Sequence, residues 1–234
     1  MSANELLERY IAVWNEPDAA ARRATVAGMW GPDGLHYTQT RRFQGTEALV
    51  ARVTEAYDQF ISGQGLRFRS GGAAVEHHGA AAFNWVMTPK DQAGTVLAVG
   101  FDVVLLDDRG RIAVDYQFNE PPAASTDLDV EAERYLALTT AGKAHRDKDI
   151  AELYLPDARL VDESGAHEGP DAVGAAVAAG GARYLSGHAS AQHDALRYPW
   201  RGADGEEGVD LLLRDEKGLI REHHRFTGAG RHAA

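Results

Sequence analysis

Two aspartates stand inside apolar runs. Asp102 lies between Phe101 and Val103, ahead of Val104, Leu105 and Leu106, and Asp210 lies between Val209 and Leu211, ahead of Leu212 and Leu213. A carboxylate in such a strand needs a hydrogen-bonding partner, or it keeps its proton. Each is therefore either a pocket-facing acid or a structural acceptor. Tyr10 and Tyr135 fall on the apolar faces of helical segments, where a tyrosine is either ordinary core or a buried phenol donor. Asp162 follows Leu160 and Val161 and precedes Glu163, Ser164 and Gly165, so it reads as a strand-end turn residue or as a base.

Other chemistries find little footing. The 234-residue chain has no cysteine, which removes disulfides, thiolate nucleophiles and cysteine-bound zinc. His77-His78 and His223-His224 are neighbours on strands and point to opposite faces, and no His-Glu-x-x-His spacing occurs, so no metal is expected. No cofactor motif is found: Gly63-Gln64-Gly65 lacks the strand-to-helix context of a phosphate loop. A net charge of -11 argues against nucleic-acid and anionic-membrane partners. No apolar run reaches the length of a membrane helix and no signal peptide is read at the start, so a cytoplasmic protein is expected.

The elements that must position these residues occur twice. Residues 8–12 recur as 133–137, and residues 29–35 as 153–159. His78 stands seven residues before Trp85, as His193 does before Trp200. Residues 100–118 align without a gap on 208–226, with seven identities that include Asp102/Asp210, Asp107/Asp215, Gly110/Gly218 and Phe118/Phe226. From Gly45 to Gly100 is 55 residues, and from Gly169 to Gly208 is 39, so the second copy is 16 shorter. The loss is expected in its third helix and a central hairpin. The break between copies is placed in the segment from Pro121 to Thr126, giving domains 1–121 and 122–234.

Within the first copy, Ser2 and Glu5 form a capping box ahead of a helix. Pro17-Asp18 starts a second helix through about Trp30, and a short strand spans 35–40. A third helix covers 46–61. Strands then follow over 66–70, 81–88, 96–106 and 111–118, with a tight turn at Asp107-Asp108-Arg109-Gly110. Helices followed by an antiparallel meander predict an α+β fold.

Arg9-Tyr10-Ile11, the Pro-Asp turn into a strand, the glycine before helix three, and Asp102 with its following hairpin resemble the nuclear transport factor 2-like, SnoaL-like and ketosteroid isomerase-like superfamily. The resemblance covers nearly all of both copies. It implies two tandem cone-shaped α+β barrels of cystatin-like or SnoaL-like type, each with three helices packed on a curved antiparallel sheet. In ketosteroid isomerase, a known case of an aspartate that stays protonated, a helix-one tyrosine and a strand aspartate donate to the substrate oxyanion and a first-strand aspartate is the base. By position, Tyr10 and Asp102 match the donors of the first copy. The base position falls on Thr38, which is no base at neutral pH, and His36 on the same strand face is its substitute. In the second copy Tyr135 and Asp210 match the donors and Asp162 the base.

The leading expectation is a cofactor-independent acid–base enzyme of isomerase, lyase or cyclase type. It would act on a small, mostly apolar carbonyl-bearing metabolite. Asp162 would be the base, with Tyr135 and a protonated Asp210 as donors, and Tyr10, Asp102 and His36 would line a second pocket. Trp30, Thr38, Phe83, Trp85, Met87 and Phe118 are expected to line the ligand site, because core and pocket share one inner surface in a cone. One alternative is a noncatalytic small-ligand-binding or scaffold protein, in which one copy is the built-in dimer partner of the other, as a monomer or a homodimer. Another resembles epoxide hydrolases and needs a second acid near Asp162, for which Glu168 is the candidate.

Overall fold

The computed structural model describes residues 2–230, which form two compact units, 2–120 and 121–230. In the first, α1 (Ala3–Asn15) starts at the expected capping box: the Ser2 hydroxyl accepts from the Glu5 amide and the Ser2 amide donates 2.7 Å to Glu5 Oε2. Asp18 caps α2 (Ala19–Met29) through the Ala21 amide. Then come β1 (Trp30–Tyr37), β2 (Arg42–Gln44) and α3 (Gly45–Ala56), which runs on into a π-helical turn at Tyr57–Ser62. Strands β3 (Leu66–Ser70), β4 (Val75–His77), β5 (Ala80–Pro89), β6 (Ala98–Leu106) and β7 (Ile112–Glu120) complete the unit.

The sheet order is β2-β1-β7-β6-β5-β3, with β4 also on β5. One pairing departs from the antiparallel expectation. β1 runs parallel to β7, because the chain returns to β1 through α3 and the whole meander rather than through a hairpin. α1 packs on β3 and β5, and α3 on β1 and β2. Ala81, Phe83, Trp85 and Met87, alternate residues of β5, join Tyr10, Trp14 and Trp30 in the core. The three-residue strands β2 and β4 carry no period in the sequence, because such runs are too short to show one. Val96 and Leu97, expected within a strand, are exposed ahead of β6.

The second unit repeats the order element for element. It consists of α4 (Thr126–Ala137), α5 (Lys143–Leu153), β8 (Tyr154–Asp162), β9 (Gly165–Glu168), α6 (Pro170–Ala178), β10 (Arg183–Leu185), β11 (Ser190–Gln192), β12 (Ala195–Gly202), β13 (Glu207–Arg214) and β14 (Ile220–Thr227). Its sheet runs β10-β12-β13-β14-β8-β9, with β11 on β12 and β14 parallel to β8. The shortening falls largely where expected: α6 has 9 residues against 12 in α3, and it has no π-helical extension.

Two local devices explain the repeated residues. His78 and His193 both have positive φ, 43° and 51°, in the hairpin turns before β5 and β12. Gly100 faces Trp85 across β5 and β6, and Gly208 faces Trp200 across β12 and β13. A Cβ at Gly100 would lie 2.1 Å from the Trp85 ring, and one at Gly208 2.4 Å from the Trp200 ring. Only glycine leaves room for the indole to turn inward, and each indole then meets an aspartate.

Candidate active site

In the first unit β6 turns Asp102 inward, and the β6–β7 register sets Gln117 opposite Asp102 and Asp115 opposite Val104. β1 sets His36 beside Asp115. The Tyr10 hydroxyl from α1 lies 2.6 Å from Asp102 Oδ2 and 2.8 Å from Asp115 Oδ2. Trp85 Nε1 donates 3.0 Å to Asp102 Oδ1, and His36 Nδ1 is 2.7 Å from Asp115 Oδ2. Both aspartates are completely buried.

Proton counting orders this cluster. A phenol has one proton and cannot donate to both carboxylates. Burial first, and then the Asp115 carboxylate, push Asp102 well above the usual carboxylate range, against the pull of its bonds from Tyr10, Trp85 and Gln117. Asp102 therefore keeps its proton and donates to the phenolic oxygen, and Tyr10 donates to Asp115. Burial and the two carboxyl groups likewise hold the Tyr10 hydroxyl protonated. Asp115 Oδ2 also accepts from His36 Nδ1–H. That leaves His36 Nε2 and Asp115 Oδ1, both buried, without a hydrogen-bond partner.

The same positions in the second unit are wired the other way. His223 replaces Asp115, Arg225 replaces Gln117, Tyr198 replaces Phe83, Tyr154 replaces Trp30 and Leu160 replaces His36. Asp210 Oδ1 accepts from Trp200 Nε1 at 2.7 Å, and Oδ2 from His223 Nε2 at 2.7 Å, Arg225 Nη2 at 3.1 Å and Tyr198 at 3.3 Å. Burial alone would raise Asp210, but the Arg225 guanidinium and then His223 hold it far below the usual carboxylate range. Burial, outweighing Asp210, keeps the His223 imidazole below its ordinary value. A neutral ring fits the geometry, since Nε2–H donates to Asp210 and Nδ1 is 3.0 Å from the Tyr154 hydroxyl that donates to it.

This corrects the expected second-copy site. Asp210 is an anion with its lone pairs spent, so it cannot be a protonated donor. Tyr135 stacks on Tyr198 at 6.5 Å and donates instead to Glu131 at 3.4 Å, and burial and then Glu131 push it up to about 12. Asp162 ends β8 and accepts from the Ser164 amide and hydroxyl and from His167, as a strand-end turn residue does. Glu168 is exposed opposite Arg159, on the face of β9 away from Asp162, so the pair needed for epoxide chemistry does not form there.

In the first unit Tyr10, Asp102 and His36 do come together, but Tyr10 and Asp102 donate within the cluster and not toward open space. Trp30, Phe83, Trp85 and Met87 are packed core, with Tyr10 5.1 Å from Phe83 and 5.7 Å from Trp30. Phe118 follows Gln117 on β7 and so faces away from Asp102, which removes it from the expected lining. Thr38 lies at the mouth of the sheet, in a cavity of about 260 Å³ with Arg41, Arg52, Glu55, Phe60 and Gln117. This cavity is mainly polar, not the apolar cone expected. Sequence reasoning misses Asp115, Gln117 and Arg52. The tight turn at Asp107–Gly110 fixes the β6–β7 register, and alternation from Asp102 would find the first two.

The opposite wiring predicts opposite responses to acid. A carboxyl group with a depressed folded pKa stabilises the fold above its unfolded value, near 3.8, and loses that contribution as pH falls. His223, lowered when folded, acts in the same direction below its ordinary 6.5. Asp102, raised when folded, contributes most at low pH. On acidification from about pH 7 to about pH 3, hydrogen exchange is expected to open β13 before β6. The reverse order would contradict these protonation states.

No protein-family model matches the chain, and no curated protein matches it. Among solved structures, a candidate isomerase of the SnoaL-like family from Agrobacterium tumefaciens str. C58 is 28% identical, covers 51% of this chain and 99% of its own, and has a TM-score of 0.47. A candidate polyketide cyclase from Sinorhizobium meliloti is 15% identical, with 48% and 93% coverage and a TM-score of 0.38. A nuclear transport factor 2-like protein of unknown function from Exiguobacterium sp. 255-15 is 16% identical, with 50% and 99% coverage and a TM-score of 0.41. The strand order and the two equivalent units make this chain a tandem α+β protein, similar over about half its length to SnoaL-like and nuclear transport factor 2-like structures.

Proposed function

We propose that the first unit is a cofactor-independent acid–base enzyme that moves a proton alpha to a carbonyl, and that the second unit performs no such chemistry. The observation that carries this reading is His36 Nε2, buried and without a hydrogen-bond partner, on a ring whose Nδ1 lies 2.7 Å from Asp115. His36 takes the carbon-bound proton, and the electron pair moves to the carbonyl oxygen as an enolate forms. Asp115 is the positioning residue: it fixes the tautomer and stabilises the imidazolium. Tyr10 and neutral Asp102 supply the second bond that holds Asp115.

Trp14, 5.6 Å from His36 ring to ring, has a buried Nε1–H with no partner and is the proposed donor to the enolate oxygen. Return of the proton to a conjugated carbon makes the net reaction an isomerisation, and return to the same carbon gives exchange with solvent alone. The second unit has Leu160 in place of His36 and a fully bonded Asp210, so it offers neither base nor free acid.

The test is solvent-deuterium incorporation alpha to the carbonyl, followed by proton NMR across cyclic, aromatic and carboxylate-bearing ketones. Wild-type protein is expected to accelerate exchange in a subset, and His36→Gln is not. If every ketone exchanges equally fast with either protein, the reading fails.

A further inference from the structure

The mouth cavity of the first unit is lined by two arginines, Arg41 and Arg52, and by one carboxylate, Glu55, which acts on both charges. Arg41 pairs with Glu55 through both guanidinium nitrogens, at 2.8 and 2.9 Å. Arg52 lines the same cavity and forms no ion pair among the described residues. Its polar contact is Nη2 to Gln117 Oε1 at 3.5 Å, the outer limit of a hydrogen bond, and its buried Nε has no partner. A guanidinium presents a planar fork of donors matched to a carboxylate, and leaving most of it unpaired in a half-closed site is costly.

Its position also ties it to the chemistry below. The Arg52 guanidinium lies 5.2 Å from the Trp14 ring centre and 5.7 Å from that of Phe43. These two rings pack beside His36, at 5.6 and 6.0 Å. Arg52 thus stands between the mouth cavity and the imidazole. Gln117, its weak partner, also hydrogen-bonds Asp102. The rest of the lining suits a small polar ligand: Thr38, Gln59 and Asn119 offer uncharged donors and acceptors, and Phe60 offers an apolar wall. A volume of about 260 Å³ suits a compact ligand.

We infer that the mouth of the first unit binds a small carboxylic acid, with the carboxylate paired to Arg52. This rests on the acid–base reading above and narrows its substrate to a keto acid. The carboxylate would anchor at Arg52, on the cavity side of Trp14 and Phe43, and contact with the buried His36 would require these two rings to move aside. The overall negative charge of the protein disfavours anions at long range, so the recognition is local and bidentate.

The test uses four acids, benzoate, phenylacetate, levulinate and 4-phenyl-4-oxobutanoate, each beside its neutral amide. Binding is read by calorimetry and by tryptophan fluorescence, for which Trp14 beneath Arg52 is the expected reporter. At least one acid is expected to bind saturably and its amide at least about tenfold more weakly. Arg52→Gln should lose about tenfold or more for that acid, with Arg52→Lys between the two, because a point charge lacks the fork. Unchanged circular dichroism and thermal midpoint in Arg52→Gln would show that the fold is intact. No saturable binding by any acid, equal binding of acid and amide, or an unchanged affinity in Arg52→Gln would each overturn the inference. Proton exchange by the wild-type protein separates the two readings: an Arg52-dependent site in a wild-type protein that exchanges no ketone leaves the carboxylate site standing and removes the enzyme.

Discussion

Arg225→Gln is expected to destabilise the second unit by about 3–5 kcal/mol at neutral pH, the cost of leaving a buried charge without its partner. Arg225 is nearly fully buried and reaches Asp210 through Nε at 3.2 Å and Nη2 at 3.1 Å. Glutamine is the residue that the first unit carries at the equivalent position, Gln117. The substitution therefore converts the environment of Asp210 toward that of Asp102. Without the guanidinium, burial dominates and Asp210 takes up a proton as Asp102 does. The sign of the pH dependence then reverses. The variant should lose stability as pH rises, and its deficit against wild type should shrink on moving from about pH 7.5 to about pH 5. Chemical denaturation with Trp200 as the local reporter, whose indole bonds Asp210, measures both effects. A loss below about 1 kcal/mol would place the pair among weak surface-like bridges and undo the electrostatic account of this unit.

His36→Gln is expected to lower proton exchange by roughly 10²–10⁴-fold, the usual contribution of a positioned general base. Glutamine keeps a donor for Asp115 but offers no basic nitrogen. The fold should survive, since the ring is one member of a packed wall of Trp14, Phe43 and Phe68. Asp115→Asn should act differently. A neutral amide is a weaker acceptor for Nδ1–H than the carboxylate and no longer stabilises the imidazolium. The rate per folded molecule should therefore fall. A structural role alone would lower the amount of active protein and leave the rate per folded molecule unchanged.

Much of the architecture can be read from the sequence because duplication writes each signal twice. The Gly100/Gly208 and His78/His193 pairs mark a close approach and a left-handed turn, and both recur at the same points of the two sheets. The capping box at Ser2 and Glu5 is equally legible. The parallel pairing of β1 with β7 is not, because it joins residues far apart in the chain with no turn between them. The site divides in the same way. Tyr10 and Asp102 follow from the resemblance and His36 from sharing a strand face with Thr38, and Asp115 joins the three.

The second-copy triad of Tyr135, Asp162 and Asp210 matches by residue type alone. Type does not reveal what surrounds a carboxyl group. His223 and Arg225 are visible in β14, but the first stands out in sequence only as half of a His-His pair and the second not at all. The identity of a buried aspartate as acid or anion is decided by these neighbours on the next strand.

Two aspartates at equivalent positions, both buried and both bonded to a tryptophan, hold opposite protonation states. Carbon-13 NMR of the aspartate side-chain carboxyl carbons, assigned with Asp102→Asn and Asp210→Asn, measures this directly at neutral pH. A protonated carboxyl signal is expected for Asp102 and an ionised one for Asp210. An ionised Asp102, or two signals in the same state, would contradict this assignment.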